Sequence, residues 1–164
     1  VTVERVQDTS IRRIPFQQKM GAGLNVAEYQ QRIADGKIRH VGLTESLQMI
    51  AHKLDWKLDK VTESIDPVLD PENNDQVLGT CQIAEGIKDG EVILKLVFKA
   101  AKGEPNPRDC IIVNGKPGFT LSFDPTINGY TATASIVVNA VPTILKVSPG
   151  LKTMADALAF SYWS

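Results

Sequence analysis

The sequence predicts an α+β domain: a mixed, largely antiparallel β-sheet with helices packed on one face. Two observations carry that expectation. Helical spacing of apolar residues dominates the stretch from Asn25 to Trp56, and from Lys57 the pattern changes to strand alternation, as in domains whose helices and strands segregate along the chain. Asp89-Gly90 then stands between two long alternating runs, a two-residue hairpin signal. With 164 residues, 43% of them apolar, the chain is expected to form a single domain around one core.

Val1 to Val6 alternates apolar and polar with one slip and reads as an opening strand that runs into a basic loop. A helix follows with clear punctuation. Asn25 is placed as N-cap, Glu28 completes a capping box, Leu24 and Tyr29 form a hydrophobic staple, and Gly36 closes the C-terminus. Thr44 is placed to cap a second helix, with Leu43, Leu47, Ile50 and Leu54 along one side and an end near Trp56. Lys57 to Leu69 reads as a strand, Pro71 to Asp75 as a polar loop, and Val77 to Lys88 with Glu91 to Ala101 as the hairpin. Cys110 to Val113 and Phe119 to Phe123 are short strands around the turn Asn114-Gly115-Lys116-Pro117. Tyr130 to Val147, rich in small and β-branched residues, is assigned by its length as a buried helix, kinked or broken near Val141 by Pro142. Leu151 to Ser164 is a terminal tail to which the pattern assigns no element.

Net charge is −1, with 18 basic and 19 acidic residues interspersed, so no global field recruits nucleic acid or an anionic membrane. Trp56, Tyr162 and Trp163 lack interleaved basic residues and read as core or interface side chains. No apolar run approaches the roughly 18 residues that span a bilayer, and no leader opens the chain. Cys81 and Cys110 fit neither a disulfide framework nor a zinc spacing, and read as buried thiols in a reducing cytoplasm. The chain begins at Val1 without an initiator Met, which leaves room for a domain upstream.

The chemistry concentrates between Arg12 and His40. Arg12, Arg13 and Lys19 are cations beside Met20-Gly21-Ala22-Gly23, a glycine-rich turn into a helix that either closes a loop or lets an anion approach the backbone. It is no dinucleotide fingerprint, because Val26 occupies the third glycine position. His40, ahead of Gly42 and the second helix, is placed to donate to a carboxylate or move a proton, or else is a structural loop histidine. His52 lies on the polar side of that helix, and the two histidines make no metal spacing. Thr131, Thr133, Ser135 and Asn139 decorate the small-residue segment, where interior hydrogen bonding and cofactor contact are both open readings.

Three stretches together are specific in order and spacing: Val6-Gln7-Asp8-Thr9-Ser10-Ile11-Arg12-Arg13-Ile14-Pro15-Phe16-Gln17-Gln18-Lys19-Met20-Gly21-Ala22-Gly23, then His40-Val41-Gly42-Leu43-Thr44-Glu45-Ser46, then Ile136 to Pro142 with Pro149 to Met154. They resemble the C-terminal half of dihydrodipicolinate reductase-like proteins, the group that includes 2,4-diaminopentanoate dehydrogenase and native amine dehydrogenases. The resemblance implies an NAD(P)-dependent oxidoreductase that interconverts an amine with an imine, or with a ketone plus ammonia. In that picture an N-terminal Rossmann domain, absent from this chain, holds NAD or NADP, while residues 1–164 bind the small-molecule substrate and form a homo-oligomer contact. Matched by motif, Arg12, Arg13, Gln17, Lys19 and His40 are implied on the substrate side, with Thr133 and Asn139 at the cofactor cleft. The His-rich, Lys-containing run and Ser-Gly-Thr loop of the dihydrodipicolinate reductases proper are not found, which argues against a dicarboxylate imine. Two other classes stay open: a non-catalytic binding or assembly module, and a hydrolase or lyase using His40 with a carboxylate such as Glu45.

Overall fold

The computed structural model describes residues 1–156. Tyr162, Trp163 and the second half of the expected tail lie outside the described residues. The order is β1 (Thr2–Asp8), α1 (Ile14–Lys19), α2 (Val26–Ala34), α3 (Leu43–Lys53), β2 (Lys60–Asp70), β3 (Asn73–Lys88), β4 (Glu91–Ala101), β5 (Arg108–Val113), β6 (Phe119–Phe123) and α4 (Gly129–Ile144). Six strands form one sheet in the order β2-β3-β4-β1-β5-β6, antiparallel except where β1 runs parallel to β4. The expected mixed, largely antiparallel sheet is thus present, with β1 inserted into what reads along the sequence as a simple meander.

The register decides which side chains face the helices. Val3, Arg5 and Gln7 of β1 stand beside Leu96, Phe98 and Ala100 of β4, and Gln82 of β3 stands opposite Phe98. Strand alternation puts all of them on one face. Over that face α3 lays Leu43, Leu47 and Ala51, which meet Ala84, Leu94, Leu96, Phe98 and Met20 in the main core. A smaller cluster of Tyr29, Ile38 and Val77 sits under α2, where the Tyr29 hydroxyl and Thr80 Oγ1 share a buried hydrogen bond of 3.0 Å. Among the described residues, no helix is long and apolar enough to cross a membrane.

The expected punctuation of α2 is present. Asn25 accepts from the Glu28 amide at 2.8 Å, and Glu28 accepts in return from the Asn25 amide. At the other end the Gly36 and Lys37 amides reach the Ile33 and Arg32 carbonyls through a left-handed Gly36. Other expectations need correction. The basic loop contains the six-residue helix α1, opened by Pro15 in its first turn, where a missing N–H leaves no hydrogen bond unmade. Gly42, in the left-handed region, occupies the N-cap of α3 in place of Thr44, whose hydroxyl turns to Glu45. Leu54 is the exposed C-cap of α3, and Ala51 takes its place on the buried stripe. The loop after β2 shrinks, because β3 begins at Asn73. The last helix carries Pro142 in its final turn and continues to Ile144 without breaking. It is also not buried: Val137, Val141, Ile144 and Leu145 are all exposed. Of the two cysteines, Cys110 is buried and Cys81 half-buried.

Candidate functional site

A cavity of about 670 Å³ opens on the helix-bearing face where β1, β4, α1 and the first turns of α4 converge. Arg5 and Gln7 come from β1, Phe98 from β4, Arg12 from the loop before α1, Phe16 from α1, and Tyr130, Thr133 and Ile136 from α4. His40 enters from the loop before α3. A cavity of similar volume at the β5–β6 turn has Lys116 as its one ionisable lining residue, beside Asn114, Thr120, Phe119, two glycines and two aliphatic side chains. The first cavity instead combines an apolar wall with convergent polar groups, the composition of small-molecule sites.

The two arginines differ in their surroundings. Arg5 Nη1 meets Asp109 at 2.9 Å and its Nη2 donates to the Ile127 carbonyl at 3.1 Å, while Asp109 also accepts from the Ile127 amide. That carboxylate neutralises Arg5 and ties the entry of α4 to the sheet. Arg12 has no carboxylate partner among the described residues. Its guanidinium carbon lies 4.5 Å from the Phe16 ring centre and 4.2 Å from that of Tyr130, and its buried Nε has no hydrogen-bond partner. Gly129 leaves room for this convergence: a Cβ there would stand 3.3 Å from Arg5 Nη2 and 3.4 Å from Arg12 Nη1.

The His40 ring stacks on Phe98, with centroids 4.0 Å apart and planes 16° from parallel. Burial, then the nearby charges of Lys19 and Arg5, hold its pKa below the ordinary value, so the imidazole is neutral at pH 7. At the rim Arg13 Nε donates to the Tyr130 hydroxyl at 3.3 Å. That hydrogen bond, with Arg12 adjacent, lowers the pKa of the phenol.

Of the residues picked out from the sequence, Arg12, His40 and Thr133 line this cavity and Arg13 stands at its rim. Gln17 does not join them: its Nε2 donates to the Arg12 carbonyl at 2.8 Å, and it lines a separate cavity of about 580 Å³. Lys19 is exposed in the last turn of α1 and bears on the site through its charge. Thr133 commits its hydroxyl to the Gly129 carbonyl, and Asn139 lies further along α4, outside the cavity lining. The glycine-rich turn is closed on itself. Gly21, Ala22, Gly23 and Leu24 amides all donate to main-chain carbonyls, and the Asp75 carboxylate reaches the first amide of α2. No anion loop forms there. Arg5, Gln7, Phe16, Phe98 and Tyr130 are lining residues that sequence reasoning missed; the parallel β1–β4 register that sets Arg5 beside Phe98 leaves no local signal in the sequence.

Comparison with known proteins agrees with this architecture. A curated relative, 2,4-diaminopentanoate dehydrogenase of Acetoanaerobium sticklandii, is 28% identical over 154 residues, an alignment covering 85% of this chain and 44% of the relative. An amine dehydrogenase from Mycobacterium smegmatis shares the fold with a TM-score of 0.77 at 15% identity, over 99% of this chain and 52% of that one. The chain therefore spans about half the length of these two relatives. The 2,4-diaminopentanoate dehydrogenase C-terminal domain family matches residues 1–161, and the chain belongs to that family.

Proposed function

We propose that this chain is the substrate-binding and oligomerisation half of an NAD(P)-dependent oxidoreductase acting on an amine or imine that carries one carboxylate. The carrying observation is Arg12: a guanidinium held between two aromatic rings, facing a cavity, with no carboxylate partner among the described residues. Such a fork binds a carboxylate in two parallel hydrogen bonds and is strengthened by exclusion of water. Phe98, Ala132 and Ile136 offer the aliphatic part of the substrate an apolar wall. His40, neutral and fixed on Phe98, is free to accept a proton near the reacting carbon without adding a charge that repels an ammonium group.

The nucleotide is assigned to the other half of the protein. The described residues contain no strand-turn-helix phosphate cradle, and the one glycine-rich turn has spent its amides internally. In this reading Thr133 and Ile136, which line the cavity from α4, would face the nicotinamide ring when it is bound. When bound, the nicotinamide supplies the hydride chemistry, and this chain supplies orientation and charge. The isolated chain is accordingly expected to be inert.

Kinetics of the two-domain enzyme test the reading. With 2,4-diaminopentanoate, Arg12→Ala is expected to lower kcat/KM by roughly 10- to 100-fold, the worth of a charge-assisted hydrogen bond of about 1.5–3 kcal/mol. With 1,3-diaminobutane, which lacks the carboxylate, the variant and the parent are expected to match. Equal losses on both substrates would contradict carboxylate binding at Arg12, and hydride transfer by the isolated chain would contradict the division of labour.

A further inference from the structure

Gln82 is the one fully buried amide side chain among the described residues, and it sits in the middle of β3 directly opposite Phe98. Its Oε1 accepts the His40 amide at 2.8 Å, and its Nε2 donates to the His40 carbonyl at 3.1 Å and to Glu63 Oε1 at 2.8 Å. Every amide hydrogen is used. The side chain thus pairs with the His40 peptide as a neighbouring strand would, although His40 lies outside any strand. Glu63 fixes which way round the amide sits, since only the NH2 end can face a carboxylate. Glu63 is itself anchored by Arg39 Nη2 at 3.1 Å. The backbone of His40 is therefore held by β3 and its ring by the residue at the same level of β4.

We infer that Gln82, oriented by Glu63, is a positioning residue that fixes the His40 imidazole on Phe98 and so sets its presentation to substrate. This rests on the proposed substrate-side role of His40 only for its kinetic consequence; the hold on the ring stands on geometry alone. A buried glutamine serving only to satisfy core hydrogen bonds would affect stability without moving the imidazole.

The test is an NMR titration of the His40 ring protons in this chain, with folding followed by amide dispersion. In Gln82→Met, of similar volume, the upfield shift from the Phe98 ring is expected to be lost. The titration midpoint should then move up toward the ordinary histidine value as the ring leaves its buried stack. Glu63→Ala leaves Gln82 in place but frees the amide to turn over, and is expected to move both readouts in the same direction by less. Glu63→Gln, which can still accept from the Gln82 amide, is expected to restore both. Unchanged His40 lines in folded Gln82→Met, or in Glu63→Ala should Gln82→Met not fold, would overturn the inference. So would Glu63→Gln displacing the ring as far as Glu63→Ala. In the two-domain enzyme, kcat/KM is expected to fall by roughly 10- to 100-fold in Gln82→Met, by less in Glu63→Ala, and to keep the parent value in Glu63→Gln. A displaced ring with unchanged kcat/KM would support the hold on His40 and overturn its role toward substrate.

Discussion

Arg5 and Arg12 both approach the space where Gly129 lacks a Cβ, yet only Arg5 has a carboxylate partner among the described residues. Asp109 converts Arg5 into a structural tie, while Arg12 has no such partner among them. That distinction was not legible in the sequence, where Arg12 stood out within a basic, glycine-rich stretch and Arg5 was a strand residue like any other. Phe98 read equally well as a core side chain, and Tyr130 as the start of an apolar run. His40 carries a pH dependence of its own. Its folded pKa lies below the ordinary 6.5, so above that pH the ring is neutral whether the chain is folded or not. Below it the unfolded chain takes up the proton first, and stability falls as the pH drops through the folded value. Denaturant melts at pH 7.5 and 5.5 are expected to show a loss on acidification in the parent that is smaller in His40→Gln.

Helix α2 was legible from end to end because each of its signals is local: a capping box, a staple and a left-handed glycine all lie between Leu24 and Gly36. Helix α1 was not, since six residues give too little period to detect and its role depends on where β1 delivers it. The turn between them illustrates how a glycine-rich motif can be structural. Gly21 has φ +84°, and a Cβ would stand 2.7 Å from the fully buried Tyr29 ring. Left-handed strain and overpacking together are expected to cost Gly21→Ala about 2–4 kcal/mol, readable in a urea melt. Gly79 is tighter still, since an added Cβ would run into the Ala100 carbonyl oxygen. Gly79→Ala is expected to destabilise the chain more than Gly21→Ala, since backbone rather than a side chain must give way. For α4 the sequence indicated a helix but not its surroundings. Hydrophobicity along a segment says that something covers it, not that the same chain does.

At the scale of the whole molecule, two apolar surfaces are left exposed: Phe119, Leu121 and Phe123 of β6, and Val137, Val141 and Ile144 of α4. The proposed oligomer contact is expected to use the α4 surface. Sedimentation of the parent chain is expected to give a dimer or larger at micromolar concentration, and Val137→Asp to shift it toward monomer. A monomeric parent would refute the oligomerisation part of the proposal. The sheet and its hairpin were readable from alternation and from Asp89-Gly90, but the parallel insertion of β1 between β4 and β5 was not, because no local signal specifies a long-range parallel pair. That insertion is what brings Arg5 and Arg12 to the cavity that His40 lines. The most direct test of the account is an NMR map of 2,4-diaminopentanoate binding to this chain. Perturbations are expected at Arg12, His40, Tyr130 and Thr133, with those at Arg12 absent when 1,3-diaminobutane is used instead. Perturbations gathered around Gln17 and Lys102, in the neighbouring cavity, would contradict it.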